Sequence, residues 1–118
     1  MSPRRWQARV EDILSAIDEI RVFVSGQAFE EFSRDAKTIR AVIADFIIIG
    51  EAAASISAEV TDAHPEVPWR VMRGMRNTLV HAYFDIDPKI VWETVERDLP
   101  DLVEPLRSIL GSNAADPD

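Results

Sequence analysis

Two side chains near the middle of the chain have the chemistry needed to cleave a phosphodiester bond. Arg76 carries a planar and permanently charged guanidinium, which can hold two phosphate oxygens and stabilise an anionic transition state. His81 has an imidazole, which can donate or accept a proton near neutral pH. Asn77 lies between them and can orient a phosphate oxygen or the imidazole. Tyr83 offers a hydroxyl that can bind or be modified.

The spacing of these four residues is typical of one side of an α-helix. Asn77 and His81 are four residues apart, and Arg76 and Tyr83 are seven apart, so each pair recurs after whole turns. We therefore expect all four to line one side of the C-terminal half of a helix. A single Arg and His on one helix is also a common coincidence, so the spacing alone leaves a purely structural interpretation open.

A local cationic stripe precedes the histidine in a chain that is otherwise acidic. The formal net charge of the 118 residues is −8, which argues against a protein that binds nucleic acids or membranes by bulk charge. Arg70, Arg73 and Arg76 nevertheless recur every three residues, and no acid occurs between Val67 and Phe84. Such a stripe can focus a polyanion onto one cleft, or it can be a solvated face. Gly74 in its middle either accommodates packing or lets a second helix approach.

Other site chemistries find no support in the sequence. There is no Cys, and the two histidines, His64 and His81, lack metal-ligand spacing. We expect no metal and no cofactor, and we expect His64 to be an exposed loop residue. The glycines are isolated, the serines lack a nucleophile elbow, and no segment reads as a membrane span or signal peptide. These features predict a cytoplasmic protein with no membrane partner.

Apolar periodicity predicts an all-α bundle of four to five helices. A first helix, with Ser2-Pro3 as its N-cap and first turn, should end near Ser25-Gly26. A central helix, capped by Ser33 or Asp35, should reach about Ser57. The helix with the arginines should run from Pro68 to about Tyr83. A fourth should open at Asp87-Pro88, with Pro100 and Pro105 either kinking it or splitting off a fifth. We expect a single domain over residues 1–110 and a flexible acidic tail over residues 111–118.

Two acids interrupt the apolar central helix. Asp45 and Glu51 are commonly half-exposed salt-bridge partners in such a position. A sharper hypothesis is that Glu51 faces the helix of the arginines and holds Arg73 or Arg76 in position.

The motif segment resembles a known family. Residues 76–83 read Arg-Asn-Thr-Leu-Val-His-Ala-Tyr, which is similar to the Arg-x-x-x-x-His-x-Tyr motif of HEPN-domain toxins of the HepT family. The resemblance covers most of the chain and includes further segments: Ile49-Gly-Glu-Ala-Ala53, Pro68-Trp69, Tyr83-Phe84 and Leu99-Pro100. It implies an all-α HEPN fold that dimerises, with an RNA-cleaving site that needs no metal and is built from both chains.

The resemblance also assigns residues and a partner. It implies that Arg76 and His81 are the catalytic pair, that Asn77 is a polar support, and that Tyr83 is adenylylated by a minimal nucleotidyltransferase antitoxin resembling MntA. Arg73 and Glu51 are the further supporting candidates. The expected function is a toxin endoribonuclease that uses the RNA 2′-hydroxyl as nucleophile. An alternative is a non-catalytic HEPN scaffold or substrate-binding subunit of a nucleotidyltransferase, and a purely structural dimer is a third.

Overall fold

The structure is a computed structural model that describes residues 5–81 and 87–112, with side chains for all of these except residues 77–81 and 112. Within these residues all regular secondary structure is helical, in chain order Trp6–Val24 (α1), Phe29–Arg34 (α2), Ala36–Ala54 (α3), Ala58–Ala63 (α4), Trp69–His81 (α5), Pro88–Glu93 (α6) and Leu99–Ser112 (α7). A π-helical turn, Thr94–Asp98, joins α6 to α7. The all-α class is confirmed.

The predicted helix ends follow the capping chemistry of the sequence. α1 ends at Val24, just before Gly26, whose φ of 77° is the left-handed conformation that glycine adopts readily. Asp35, rather than Ser33, caps α3, because its carboxylate accepts hydrogen bonds from the Thr38 amide at 3.1 Å and the Thr38 hydroxyl at 2.6 Å. These bonds hold the pKa of Asp35 below its usual value.

Helix α3 is the centre of the bundle, as its apolar sequence predicts. It packs against α1 on one side and α5 on the other. Phe46 and Ile49 are fully buried, whereas the neighbouring Ile48 remains 46% exposed. Burying a side chain of this size contributes about 1.5–3 kcal/mol, so α3 organises the two helices on either side of it.

The two prolines near the C-terminal end do not split the last helical segment into separate helices. Helix α6, the π-helical turn and α7 follow one another without a break, and Pro105 lies inside α7. Proline lacks an amide hydrogen and its ring crowds the carbonyl four residues earlier. The wider π-helical turn directly before Leu99-Pro100 relieves that crowding. Helix α7 also includes Gly111 and Ser112, and residues 113–118 of the expected tail lie outside the described residues.

His64 is not the exposed loop residue that we expected. Its side chain is only 19% exposed, and its ring centroid lies 5.6 Å from that of Trp6. Its carbonyl accepts a hydrogen bond from the Trp69 indole at 3.0 Å. The turn between α4 and α5 is therefore folded against α1. The local His-Pro sequence does not indicate this contact, because α1 is distant in sequence. None of the helices described is long and apolar enough to span a membrane.

Candidate functional site

An ion pair joins the central helix to the helix of the arginines. The Arg76 guanidinium donates a hydrogen bond from Nη1 to Oε1 of Glu51 at 3.1 Å. Both side chains reach solvent, with 40% of Arg76 and 60% of Glu51 exposed. An exposed pair of this kind contributes about 0–1 kcal/mol to stability. The pairing places Glu51 beside Arg76, one of the two arginines considered from sequence.

The backbone of Arg76 is held close to α3 by a glycine. A Cβ added to Gly50 would lie 2.5 Å from Cβ of Arg76 and 2.9 Å from its backbone nitrogen. Only a residue without a side chain therefore fits at this crossing of α3 and α5. The sequence suggested Gly74 as the point of close helix approach, but nothing lies within 4 Å of a Cβ added there. The sequence does contain a sign of this contact. A glycine inside an apolar helix face costs about 1 kcal/mol relative to alanine, so its presence at position 50 indicates a packing requirement.

The three arginines of the stripe differ in their surroundings. Arg76 pairs with Glu51, Arg73 is half-buried, and Arg70 is exposed. Arg70 lies at a shallow cavity of about 200 Å³ between α5 and the segment that follows Asp87, lined also by Val71, Gly74, Met75, Ile90, Thr94 and Asp98. Helix α5 turns its apolar side, with Met72 and Met75, into the core. The arginines therefore occupy the sides of α5 that remain accessible to a polyanion.

The remaining motif residues lie at the edge of what the structure describes. Asn77 and His81 belong to α5, but their side chains are outside the described part, and Tyr83 is outside it altogether. Positions 76 and 81 are about 140° apart around a regular helix, since each residue turns it by about 100°. The backbone positions of residues 76 and 81 are therefore well separated around α5, and the expectation that their side chains line one side stays a prediction, because the His81 side chain lies outside the described part.

Asp45, the other acid of α3, is not a half-exposed salt-bridge partner. It is 3% exposed and faces Glu19 of α1. Burial, followed by the hydrogen bond and the negative charge of Glu19, raises the pKa of Asp45 to about 7. This carboxyl pair could not be predicted, because nothing in the local sequence indicates which turn of α1 lies opposite Asp45.

The described side chains include no group of three His, Asp or Glu placed to hold a metal ion. A guanidinium beside a carboxylate can bind a phosphate oxygen, because Arg has donors left over after one hydrogen bond to Glu51.

Comparison with known proteins identifies a family for the chain. The family described as "Ribonuclease HepT-like" matches residues 13–109. The chain is 46% identical over 93 residues to a "Probable ribonuclease HepT" of Thermococcus cleftensis, covering 79% of this chain and 84% of the relative. It is also 36% identical over 101 residues to a "Putative RNase" of Caldanaerobacter subterraneus subsp. tengcongensis, covering 86% and 90% of the two chains.

A third relative is a "Putative RNase" of Methanocaldococcus jannaschii, 34% identical over 110 residues, which span 93% of this chain and 91% of that one. No solved structure matches the chain significantly. The family match spans most of the sequence, including α3, α5 and the Glu51–Arg76 pair between them. This chain belongs to the HepT-like ribonuclease family.

Proposed function

We propose that this protein is a metal-independent endoribonuclease in which Arg76 and His81 carry the reaction. The family and the names of the relatives support a ribonuclease function of the HEPN type. The observation on which the proposal rests is the partly exposed Arg76 guanidinium, oriented by Glu51 and held near α3 at Gly50. Preorganised donors of this kind stabilise charge that develops in a transition state.

The proposed reaction needs no bound ion, because RNA supplies its own nucleophile. The 2′-oxygen attacks the adjacent phosphorus, and the bond from phosphorus to the 5′-oxygen breaks. The 2′-hydroxyl proton passes to one His81, and the departing 5′-oxygen receives a proton from the same or a second His81. Arg76 stabilises the negative charge of the phosphorane. The products are a 2′,3′-cyclic phosphate and a 5′-hydroxyl.

We infer that the working site is built from two chains. Because positions 76 and 81 are well separated around α5, one chain is poorly arranged to bring both to one phosphate. A two-fold dimer can present position 76 of one copy and position 81 of the other to a shared cleft, and it does so twice. Glu51 then acts as a positioning residue for Arg76, and Arg73 and Asn77 supply further polar groups for the substrate.

The same proposal assigns the protein to a toxin–antitoxin pair. In it the toxin is silenced by an MntA-like nucleotidyltransferase that transfers an adenylyl group to the Tyr83 hydroxyl. The added phosphodiester brings bulk and a negative charge, so it would compete with RNA for the arginines of α5. This step rests on the family resemblance, since Tyr83 lies outside the described residues.

The catalytic assignment is tested by Arg76→Lys and His81→Ala, with Arg107→Lys, an exposed arginine of α7, as the matched control. We expect each motif variant to keep its helical circular dichroism and to lose about 10²-fold or more in RNA cleavage, because a point charge cannot replace the planar fork. Cleavage should survive a chelator and should fail on DNA of the same sequence. A folded His81→Ala protein with full activity would contradict the assignment.

The scaffold alternative makes a different prediction in the same assay. If the protein is a non-catalytic subunit, the wild-type protein should cleave no RNA under any condition and should still bind the nucleotidyltransferase.

Co-expression with the nucleotidyltransferase tests the regulatory step. It should add an adenylyl mass at Tyr83 and abolish RNA cleavage, whereas Tyr83→Phe should stay partly active and escape silencing. Neutralisation of the toxin with Tyr83 unmodified would show occlusion instead.

A further inference from the structure

A groove between α1 and α3 reaches the ion pair of Glu51 and Arg76. Its volume is about 410 Å³, and its lining includes Arg9 and Asp12 of α1 with Ile47, Ile48, Glu51 and Ala52 of α3. Glu51 belongs to both features, because its Oε1 also accepts the hydrogen bond from Arg76. A group bound in this groove therefore lies beside the guanidinium to which the proposed function assigns the scissile phosphate.

Arg9 is the cation of the groove, and it lies on a different helix from the three arginines of α5. Its side chain is half-buried. Within residues 5–81 and 87–112, no hydrogen bond or ion pair engages its guanidinium. Its donors are therefore available to a ligand. Because Glu51 connects the groove to Arg76, an RNA strand with one phosphate at Arg76 can place a neighbouring phosphate at Arg9.

The other walls of the groove determine which part of a nucleotide can enter it. Asp12 and Glu51 are acids, so a phosphate between them would be repelled. Ile48 is exposed and, together with Ala52, provides an apolar surface. A nucleobase suits these walls, since it is neutral, has an apolar face for the isoleucine and carries polar atoms at its edge. Cavities that bind small molecules have this composition and volumes of about 300–1,000 Å³.

We propose that the groove is a subsite for one RNA nucleotide next to the scissile bond, with its base on Ile48 and its phosphate bound by Arg9. The inference rests on the proposed function, because the scissile phosphate at Arg76 fixes where the strand passes. Arg9 is a substrate-binding residue in this arrangement and touches no atom of the bond that breaks. A cationic group for the backbone beside a surface for the base is a common way to bind a single strand.

This role gives Arg9 a kinetic signature that differs from that of Arg76. Arg9 would hold the flanking phosphate equally well before and during the reaction, so its loss should raise KM and leave kcat unchanged. The loss of Arg76 should lower kcat, because its contact strengthens in the transition state. A dinucleotide with only the scissile phosphate should not respond to a change at Arg9, whereas a longer RNA should.

The first experiment measures binding to a single-stranded 2′-O-methyl RNA, which lacks the nucleophile and is not cleaved, by fluorescence anisotropy. Arg9→Gln is compared with Arg21→Gln, an exposed arginine of α1, as the matched control. We expect Arg9→Gln to bind about three- to tenfold more weakly. The slope of log K against log salt concentration should fall by about 0.7, as for one phosphate contact on a single strand. Equal weakening in both variants would show bulk attraction and overturn the proposal.

The second experiment tests the base with RNAs that each carry one abasic nucleotide. Wild type should bind one of these RNAs more weakly than the intact strand. Ile48→Ser should bind that RNA and the intact strand equally, while Val22→Ser, an exposed apolar residue of α1, behaves as wild type. If Ile48→Ser instead shifts sedimentation towards monomer and Arg9→Gln binds RNA normally, a second copy covers the groove and the nucleotide subsite is wrong.

Cleavage assays separate a failure of this inference from a failure of the proposed function. Arg9→Gln should raise KM for the longer RNA by about the same factor as it weakens binding. If wild type cleaves RNA and Arg9→Gln changes neither KM nor binding, the subsite is refuted and the ribonuclease proposal stands. If wild type cleaves no RNA yet binds the 2′-O-methyl strand through Arg9, the subsite is supported and the ribonuclease proposal is overturned.

Discussion

Two acids of α3, six residues apart, have opposite environments. Glu51 is 60% exposed and accepts a hydrogen bond from Arg76 of α5, whereas Asp45 is 3% exposed and faces Glu19 of α1. Both interrupt the same apolar helix, and their side chains differ by one methylene. The difference arises from the neighbouring helix: α5 offers a cation at the protein surface, and α1 offers a second carboxyl below it.

The comparison separates two uses of a polar group in a core helix. The exposed pair adds little to stability, and under the proposed function its role is to position the guanidinium. The buried pair reduces stability once it is ionised, because a charge without a compensating partner is costly to bury. Three substitutions test how far this contrast extends, beginning with the contact that brings α3 and α5 together.

The largest effect is expected at the helix crossing. Gly50→Ala should destabilise the protein by about 1–3 kcal/mol or more, because its Cβ would meet the backbone of Arg76, which cannot rotate away. Urea denaturation measures the change. Gly74→Ala in α5 is the matched control and should be neutral or stabilising by up to about 1 kcal/mol, since its Cβ has open space. Equal effects of the two variants would show that α3 and α5 do not depend on this contact.

An intermediate effect that depends on pH is expected at Asp45. Its pKa is about 7 in the fold against 3.8 for an unperturbed Asp, so the folded state binds the proton more tightly than the unfolded state does. The resulting stability is fully present below about pH 4 and is lost as the pH rises towards about 7. Asp45→Asn should therefore be more stable than wild type at pH 8, by an amount on the order of 2–4 kcal/mol.

The measurement for Asp45 is denaturant unfolding at pH 4, 6 and 8. The difference between Asp45→Asn and wild type should grow with pH, whereas Asp62→Asn, the exposed control, should show no such trend. A difference that stays constant over this range would mean that Asp45 is ionised throughout and that the pairing with Glu19 is wrong.

The smallest effect on stability is expected at Glu51. Glu51→Gln should change the free energy of unfolding by less than about 1 kcal/mol, because the ion pair is solvent-exposed. If Glu51 positions Arg76, RNA cleavage should nevertheless fall, while Glu104→Gln on the surface of α7 leaves it unchanged. Loss of stability without loss of cleavage would reverse the comparison and make the pair structural.

Some elements were predictable because their cause is local. Asp35 and Asp87 cap α3 and α6 through bonds to amides two or three residues away, and apolar spacing places Phe46 and Ile49 inside the bundle. The sequence left open whether Pro100 and Pro105 kink the last helical segment or split it, because each proline argues locally for a break. The π-helical turn at 94–98 lets the helical segment continue through the prolines. The packing that stabilises this turn involves residues distant in sequence.

The features of the candidate site also divide into those with a local cause and those that depend on contacts between helices. The sequence by itself predicted which residues would carry phosphodiester chemistry, from the types and spacing of Arg76, Asn77, His81 and Tyr83 within one segment, and that assignment stays a prediction. Only the tertiary structure decided that Glu51 pairs with Arg76, that Gly50 rather than Gly74 is the point of closest approach, and that Asp45 is buried against Glu19. These are contacts between helices distant in sequence, and helix periodicity specifies the face of each helix but not its neighbour.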